Sequence, residues 1–286
     1  MKNQERTPIF AATLETGPKK YLIYLLIAII VVFFAFPVFW LLETAFKAEK
    51  DFLSIPPKIF FSPTVQNFKE VLAKRDFGNA YKNSLIVCSV AIVLSTVIGV
   101  PAAYALSRFR FRGRKFLSFY ILSTRFFPPV VVVIPFFQIF SRLRMTNTLT
   151  AMILIYLVAI LPLVIWVMVG FFADIPFELE ESACIDGASP IKIFTKIALP
   201  LVKPGIVAVV ILGLIGAWNE LLYATILTGT DTRTLPVAIY SFVSYEEIAW
   251  GNLCAASVLA IAPVVIFTIF LQKYLVSGLT FGAVKG

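Results

Sequence analysis

The chain has 286 residues, of which 59% are hydrophobic, 14% are charged and none is histidine, and its formal net charge is +9. A soluble domain is closer to about half apolar and about a quarter charged, so this composition predicts a polytopic membrane protein. The lack of histidine excludes Ser-His, Cys-His and histidine-ligated metal chemistry, and no GxxxxGK[ST] loop for nucleotide phosphates occurs. We therefore expect no catalytic residue and no cofactor in this chain.

Apolar runs of about 20 residues recur along the chain, and this is the length needed to cross a hydrocarbon core of roughly 30 Å. Because backbone amides in lipid must pair internally, each run is expected to be a helix, and the fold class is all-α with six transmembrane helices. The first run is too long for a signal-peptide core and is expected to be retained. The predicted spans are 21–46, 84–107, 116–140, 149–172, 205–227 and 253–275.

The orientation follows from lysine and arginine, which accumulate on the cytoplasmic side of a membrane. The densest basic cluster, residues 108–115, lies between the second and third predicted spans and is expected inside. An even number of spans then places both termini in the cytoplasm, in agreement with Lys2, Arg6, Lys19 and Lys20. The net charge is thus a topology signal, with added attraction to anionic lipid. It does not predict a nucleic-acid partner, since the arginines are confined to a short loop between two spans.

These assignments divide the chain into a cytoplasmic segment 1–20, a transmembrane domain 21–276 and a cytoplasmic tail 277–286. The predicted outer loops are 47–82, 141–148 and 228–252. A short amphipathic helix around residues 65–72 is expected to cover the outer face. The three cysteines, Cys88, Cys184 and Cys254, have no metal-like spacing, so we expect buried or tolerated thiols and no metal site.

The loop 173–204 is charged and helix-coded, although it lies between two hydrophobic spans. Asp174 and Pro176 predict the start of a first helix, as cap and first-turn proline. Gly187 predicts its end, because glycine adopts the left-handed conformation that other residues avoid. A loop that only connected two spans would not need two helices and a defined turn.

A second helix in this loop is predicted to start at Ser189-Pro190 by the same cap-then-proline pattern, and to stop at Leu199-Pro200. Amphipathicity alone leaves two interpretations open. The hairpin either lies against the bilayer and the chain's own helix ends, or it docks onto another protein.

The order of residues in the loop favours docking. Glu181-Ser182-Ala183 is followed after three residues by Gly187 and, after nine more, by Ile197-x-Leu199-Pro200. This order resembles the EAA loop of permease subunits in binding-protein-dependent ABC importers, with Ser182 in place of the usual alanine.

Further motifs are similar to the carbohydrate-uptake branch of that family, and within it to the second maltose-permease subunit. They extend the resemblance over almost the whole chain. These motifs are Gly170-Phe171-Phe172, Arg125-Phe126-Phe127-Pro128-Pro129, Ala217-Trp218-Asn219-Glu220 and the closing residues 278–286.

The resemblance implies a type I ABC importer permease in the bacterial cytoplasmic (inner) membrane that carries a sugar or sugar derivative. It implies four kinds of partner: a second homologous permease subunit, two ATPase subunits that bind ATP and Mg²⁺, a periplasmic solute-binding protein, and the carbohydrate itself. It also implies that the ATPase drives alternating access through the EAA loop. The implied coupling residues are Glu181, Ser182, Ala183, Asp186 and Gly187.

The candidate pathway residues are polar or aromatic and lie in or beside predicted spans. Arg125 is expected to face a cavity or a partner such as Glu220 or a helix carbonyl, since an arginine inside a span costs roughly 2.5–3.5 kcal/mol. For Arg125 two interpretations are open: it lines the pathway, or it lies beside a structural kink at Pro128 and Pro129. For the other candidates, the alternative to pathway lining is interhelical hydrogen bonding. The candidates are Asn83, Arg125, Gln138, Trp218, Asn219, Glu220 and Tyr223.

Two other classes are considered. An ion-coupled secondary transporter favours inverted repeats and midplane charges, whereas this chain has no clear repeat and two main intramembrane carboxylates, Glu43 and Glu220. A non-transporting scaffold would not need the long polar loop. On the family likeness, the outer loop 228–252 is expected to approach the binding protein and the tail 277–286 to lie near the ATPase.

Overall fold

The structure is a computed structural model that describes residues 18–52, 54–56, 58–243 and 248–283. The predictions that rest on Lys2, Arg6 and the last three residues of the closing motif lie outside these ranges. The described residues are mainly helical, and their β-structure is limited to an isolated antiparallel bridge between Val243 and Ile248. The all-α expectation is confirmed.

The helices are numbered here in chain order. They are α1 Pro18–Ala45, α2 Glu49–Phe52, α3 Gln66–Ala73, α4 Arg75–Arg108, α5 Arg114–Ser123, α6 Pro129–Arg142, α7 Leu149–Ala173, α8 Phe177–Ile185, α9 Pro190–Ile193, α10 Leu199–Leu201, α11 Lys203–Trp218, α12 Leu222–Leu227, α13 Leu235–Tyr240 and α14 Trp250–Ala283. A 3₁₀ turn, Thr124–Phe126, follows α5, and a π-helical turn, Phe194–Ala198, joins α9 to α10.

Four of the described helices, α1, α4, α7 and α14, are long and apolar enough to cross a membrane, and they coincide with the first, second, fourth and sixth predicted spans. Two bent helix pairs raise the number to six if each pair is one span. The predicted amphipathic helix on the outer side is present as α3. A polytopic helical architecture with four to six spans is therefore confirmed.

The two remaining spans are not the straight helices that were predicted. Residues 116–140 divide into α5 with its 3₁₀ turn and α6, which meet at 97° around Phe127 and Pro128. The predicted span 205–227 ends as a helix at Trp218 and resumes as α12 only at Leu222. In the first case the cause is Pro128-Pro129, since neither residue can donate an amide hydrogen to continue the helix.

The core of the chain is built on α4, α7 and α11, which pack closely through glycines. A Cβ at Gly99 of α4 would lie 2.7 Å from a methyl carbon of Val164 in α7. A Cβ at Gly205 of α11 would lie 2.5 Å from the ring of Phe171, also in α7. The absent side chains allow these helix backbones to approach, as is typical of helices packed in membranes.

The first helix is packed very differently from this core. None of the 18-residue window that makes α1 a candidate span is buried, against 39% in α4 and in α7. Its apolar side chains are exposed on all sides, for example Phe33 and Phe34. This surface must be covered by lipid or by another protein, because it is apolar throughout.

Candidate functional site

The docking segment is defined as residues 174–202, and its first helix begins two residues later than predicted. Helix α8 starts at Phe177 with Pro176 at the N-cap position and no side-chain cap. Asp174 is instead the C-cap of α7, and its amide donates to the Gly170 carbonyl at 3.1 Å. The prediction of an Asp174 cap is therefore wrong. The reason is that α7 continues to Ala173, so Asp174 completes the preceding helix.

The turn at Gly187 has the predicted conformation. Gly187 has φ +80°, in the left-handed region. Its amide donates to the Cys184 carbonyl at 3.0 Å, and the Ala188 amide donates to the Ala183 carbonyl at 2.9 Å. These two bonds form a Schellman motif, which satisfies carbonyls at the end of α8 and turns the chain sharply.

The second helix starts as predicted but ends later. The Ser189 hydroxyl accepts from the Lys192 amide, and Pro190 occupies the first turn. The helix does not stop at Leu199-Pro200. A π-helical turn precedes it, with the Leu199 amide donating to the Phe194 carbonyl, and the chain stays helical to Leu201 before a 71° bend into α11. The wider π turn changes the carbonyl register, so Pro200 fits without stopping the helix.

The inner side of the docking segment is fixed by a buried ionic anchor. Glu180, only 6% exposed, accepts from the Tyr104 hydroxyl at 2.8 Å and from Arg108 Nε at 2.7 Å. Arg108 Nη2 also donates to the Ile175 carbonyl at 3.0 Å. Tyr104 and Arg108 belong to the last turns of α4. We name Tyr104, Arg108 and Glu180 the inner anchor.

Sequence reasoning missed the inner anchor. Arg108 is interpreted from the sequence only as part of the basic topology signal, and no internal partner is predicted for Glu180. The available signal was the pair of adjacent glutamates, Glu180 and Glu181. If α8 packs one face against the chain, one of two adjacent residues can be buried, and a buried glutamate needs a partner. Hydrogen bonds to charged groups are among the stronger ones, so the anchor fixes α8 against α4.

The outer side of the docking segment has the residues of the predicted coupling element. Glu181, Ser182, Asp186 and Gly187 are exposed, and Ala183 is half-buried. The Ser182 hydroxyl bonds only within its own helix, to the Glu178 carbonyl at 2.8 Å.

Two isoleucines add apolar area to this face, Ile185 at 86% exposed and Ile191 at 76%. Among the described residues, Glu181 and Asp186 form no ion pair. Exposed apolar side chains rimmed by polar groups are typical of a surface that binds another protein.

The predicted contact between Arg125 and Glu220 is absent from the described part of the chain. Arg125 is exposed in the 3₁₀ turn after α5. Glu220 instead accepts from the amides of Tyr223 and Ala224, at 2.9 and 3.2 Å. The carboxylate thereby caps α12 at the break after α11, because the first amides of a helix have no intrahelical partner.

Trp218, Tyr223 and Asn83 are buried within the chain. Trp218 Nε1 donates to the Ala260 carbonyl at 3.0 Å. The Asn83 amide donates to the carbonyls of Asp231 and Arg233, at 2.9 and 3.1 Å. The Trp218 bond is an interhelical hydrogen bond, the alternative to pathway lining, whereas the Asn83 bonds reach the turn before α13.

Asn219 and Gln138 remain exposed, and only Asn219 lines a cavity together with Trp218. This cavity of about 280 Å³ lies at the break between α11 and α12, beside α13. Its other lining residues are mainly apolar, among them Leu235, Pro236 and Tyr240. The structure thus brings together Trp218, Asn219, Glu220 and Tyr223 and leaves Arg125 apart from them.

A second charged cluster extends from the end of α1 into the segment that follows it. Lys47 is 1% exposed and pairs with Glu43 at 2.6 Å, and Asn67 donates to the Lys47 carbonyl. Lys58 donates to the Asp51 carboxylate at 2.9 Å, and this bond lowers the pKa of Asp51 below its usual value. Among the described residues no cluster of cysteine or acidic side chains could hold a metal ion.

Comparison with known proteins identifies the family. Residues 95–281 match the family model for the inner membrane component of binding-protein-dependent transport systems. The chain is similar to the trehalose/maltose transport system permease protein MalG of Thermococcus litoralis, with 38% identity over 256 residues covering 88% of this chain and 91% of that protein. It is also similar to the diacetylchitobiose uptake system permease protein DasC of Streptomyces coelicolor, with 39% identity over 253 residues, covering 88% of this chain and 92% of that one.

Solved structures agree with this assignment. A chain of a bacterial ABC transporter that imports the acidic polysaccharide alginate matches with a TM-score of 0.76 and 25% identity, over 89% of this chain and 95% of that chain. A chain of a bacterial alginate ABC transporter in complex with a pentasaccharide-bound periplasmic protein matches with a TM-score of 0.68 over 89% of this chain and 94% of that chain. At 16% identity, the second match concerns the fold alone.

Proposed function

The chain belongs to the family of inner membrane components of binding-protein-dependent transport systems, and from that premise we propose that it is a permease subunit of an ATP-driven importer for a sugar or sugar derivative. Relatives named for trehalose or maltose and for diacetylchitobiose, at 38% and 39% identity, support the substrate class. The ion-coupled alternative has no comparable support.

The observation that carries the proposal is the two-sided docking segment. Its inner side is bonded to α4 through the inner anchor, and its outer side exposes Glu181, Ser182, Asp186 and Ile185. A partner ATPase that binds the exposed side would move the segment, and the anchor would move α4 with it. Such a rigid-body change switches the pathway if ATP makes the partner favour one of the two states.

The partners are part of the same proposal. The exposed apolar surface of α1 favours a membrane partner, and we assign a second, homologous permease subunit to complete the pathway. Two ATPase subunits would hold ATP and Mg²⁺, so this chain contributes docking and pathway but no catalytic group. A periplasmic solute-binding protein would deliver the sugar from the outer side, and the complex would lie in a bacterial inner membrane.

The two main intramembrane carboxylates do not suit an ion-coupled mechanism. Glu43 is paired with Lys47, and the Glu220 carboxylate accepts two backbone amides at the start of α12. A coupling carboxylate must instead exchange its ion during each cycle. The bonding of both groups therefore favours a structural role for them.

The proposal is tested by extraction of the assembled complex from its native membrane with mild detergent. A photo-crosslinker is placed at Ala183 in one variant and at Tyr240, exposed on α13, in a control variant. We expect the Ala183 variant to trap an ATPase chain and the Tyr240 variant not to do so. Mass spectrometry should also find a second permease and a solute-binding protein that carries a sugar.

The opposite result would be a chain that purifies alone or as a homo-oligomer and traps no ATPase from Ala183. Uptake that continues after ATP depletion and stops when the ion gradient is collapsed would also contradict the proposal. Either outcome would replace the importer with an ion-coupled transporter.

A further inference from the structure

The helix α4 is bonded near both ends of its predicted span, 84–107. One end is bonded to the segment 231–235 and the other to the docking segment, and these two segments are expected on opposite sides of the membrane. It extends unbroken over Asp76–Arg108. Ser84 lies near one end and Tyr104 near the other, and 20 intervening steps of 1.5 Å place them about 30 Å apart. That separation equals the thickness of a hydrocarbon core.

At the outer end, three bonds hold the segment 231–235 against α4. The Ser84 hydroxyl accepts from the buried Leu235 amide at 2.7 Å. The Asn83 side chain donates to the carbonyls of Asp231 and Arg233. We name Asn83 and Ser84 the outer clamp. It fixes the start of α13 directly to α4, because the bonds reach backbone atoms rather than mobile side chains.

The surface beyond the outer clamp is open to a partner. Tyr240 on α13 is 61% exposed, and the cavity of about 280 Å³ opens between α13 and the end of α11. Under the proposed function, a solute-binding protein that arrives at this face would press on α13. The outer clamp would pass that displacement to α4.

At the other end, the inner anchor connects α4 to the docking segment. Tyr104 and Arg108 bond to the Glu180 carboxylate, and Arg108 also bonds to the Ile175 carbonyl. Between the two ends, Gly99 allows α4 to pack closely on α7. Pro101 removes one backbone hydrogen bond from α4, but the chain stays helical through it. A displacement at one end of α4 can therefore be passed to the other end as a rigid-body movement.

We propose that α4 is a transmission helix, in which the outer clamp at Asn83 and Ser84 and the inner anchor at Tyr104, Arg108 and Glu180 couple a solute-binding protein outside to the ATPase inside. This inference rests on the proposed function and deepens it. Tyr104, Arg108, Asn83 and Ser84 are positioning residues, because they act through the segments that they hold. Coupling of this kind is a free energy shared between two sites and is reciprocal.

The test measures ATP hydrolysis by the complete complex in lipid vesicles, with and without the sugar-loaded binding protein. Ser84→Ala removes the acceptor for the Leu235 amide and leaves the docking segment untouched. We expect basal hydrolysis to be unchanged and the stimulation by binding protein to fall by roughly fivefold. Because coupling is reciprocal, ATP should also change the affinity for the binding protein less in the Ser84→Ala complex than in the wild-type complex.

Ser95→Ala is the matched control. Ser95 is a buried serine of the same helix, but among the described residues its hydroxyl donates only to the Ala91 carbonyl one turn earlier. This variant should keep full stimulation. Thermal midpoints of both variants verify that the complexes are folded and assembled.

A second variant at the inner end makes the test specific for transmission. Tyr104→Phe removes only the hydroxyl that donates to Glu180, and it should lower stimulation as Ser84→Ala does. If α4 connects the two sites, the Ser84→Ala/Tyr104→Phe double variant should lose little more stimulation than either single variant, because the two ends act in series. Full stimulation of Ser84→Ala, or independent multiplication of the two losses, would overturn the inference.

Failure of the proposed function would appear differently. If the chain were not an importer permease, the wild-type protein itself would assemble no ATPase and respond to no binding protein. Stimulated wild type together with a fully stimulated Ser84→Ala variant would overturn only the role of α4.

Discussion

The two sides of the docking segment contain similar residue types in opposite environments. Glu180 and Glu181 are neighbours in α8, yet Glu180 is buried and bonded to Tyr104 and Arg108, while Glu181 is exposed. The isoleucines of the segment divide in the same way, because Ile193 is buried while Ile185 and Ile191 are exposed. The chain itself therefore fixes the position of the docking segment and leaves one of its faces exposed for another protein.

The largest expected effect is on the inner side. Glu180→Ala would leave Arg108, a side chain only 10% exposed, without its charged partner, and breaking a buried pair in this way costs about 3–5 kcal/mol. We expect a clearly lower thermal midpoint of the purified complex. Glu181→Ala is the matched control, with a change within about 0.5 kcal/mol. Equal shifts for the two variants would remove the distinction between the two sides.

The next effect concerns the base of the docking segment, where α11 leaves it beside the end of α7. In Gly205→Ala, the new Cβ would lie within 2.5–2.8 Å of three ring atoms of Phe171, and such overpacking costs about 1–3 kcal/mol. The control is Gly216→Ala in the same helix, where a Cβ meets no atom within 4 Å. Thermal midpoints should fall only for Gly205→Ala. A similar fall for Gly216→Ala would show that close packing with α7 is not the cause.

A smaller effect on stability, with a large effect on function, is expected at the turn. Gly187→Val places a β-branched residue at φ +80°, which costs roughly 1–3 kcal/mol and redirects the turn. We expect the variant to insert and assemble but to hydrolyse ATP without sugar uptake. Gly113→Val is the matched control. It imposes the same backbone strain at φ +87° in the basic loop, where open space surrounds Gly113. Normal uptake by Gly187→Val would contradict a role of this turn in docking.

The smallest effect on stability is expected at the exposed face. Ile185→Ser changes a side chain that is 86% exposed, so the free energy of unfolding should change by less than about 0.5 kcal/mol. The affinity for the ATPase should fall nonetheless, because burying an isoleucine is worth about 1.5–3 kcal/mol. Titration of the solubilised permease with ATPase measures this affinity. Ile59→Ser, 66% exposed on the predicted outer side, should leave it unchanged.

Much of this organisation follows from local sequence patterns. Apolar run length predicts α1, α4, α7 and α14, and the glycine at 187 predicts a left-handed helix end. Both signals are local, since they depend on lipid thickness or on the backbone freedom of one residue. The same holds for the cap at Ser189.

The features that local patterns missed depend on contacts distant in sequence. The bond from Arg108 to Glu180 joins residues 72 positions apart, and the Ser84 bond to Leu235 spans 151. Such pairs leave no spacing signal in a single chain. The expected contact between Arg125 and Glu220 is absent for a different reason: the Glu220 carboxylate accepts from the first amides of the following helix, α12.

Chemical modification of Cys184 is the sharpest test of whether an ATPase docks on α8. This thiol is exposed on α8 beside the coupling residues, while Cys88 is buried and Cys254 partly so. A membrane-impermeant maleimide is applied to inside-out vesicles, with Cys184→Ser as background. We expect slow labelling of Cys184 while the ATPase is bound, and rapid labelling once the ATPase has been stripped from the membrane. Equally rapid labelling in both states would contradict docking at this face, and labelling only from the outer side would reverse the topology.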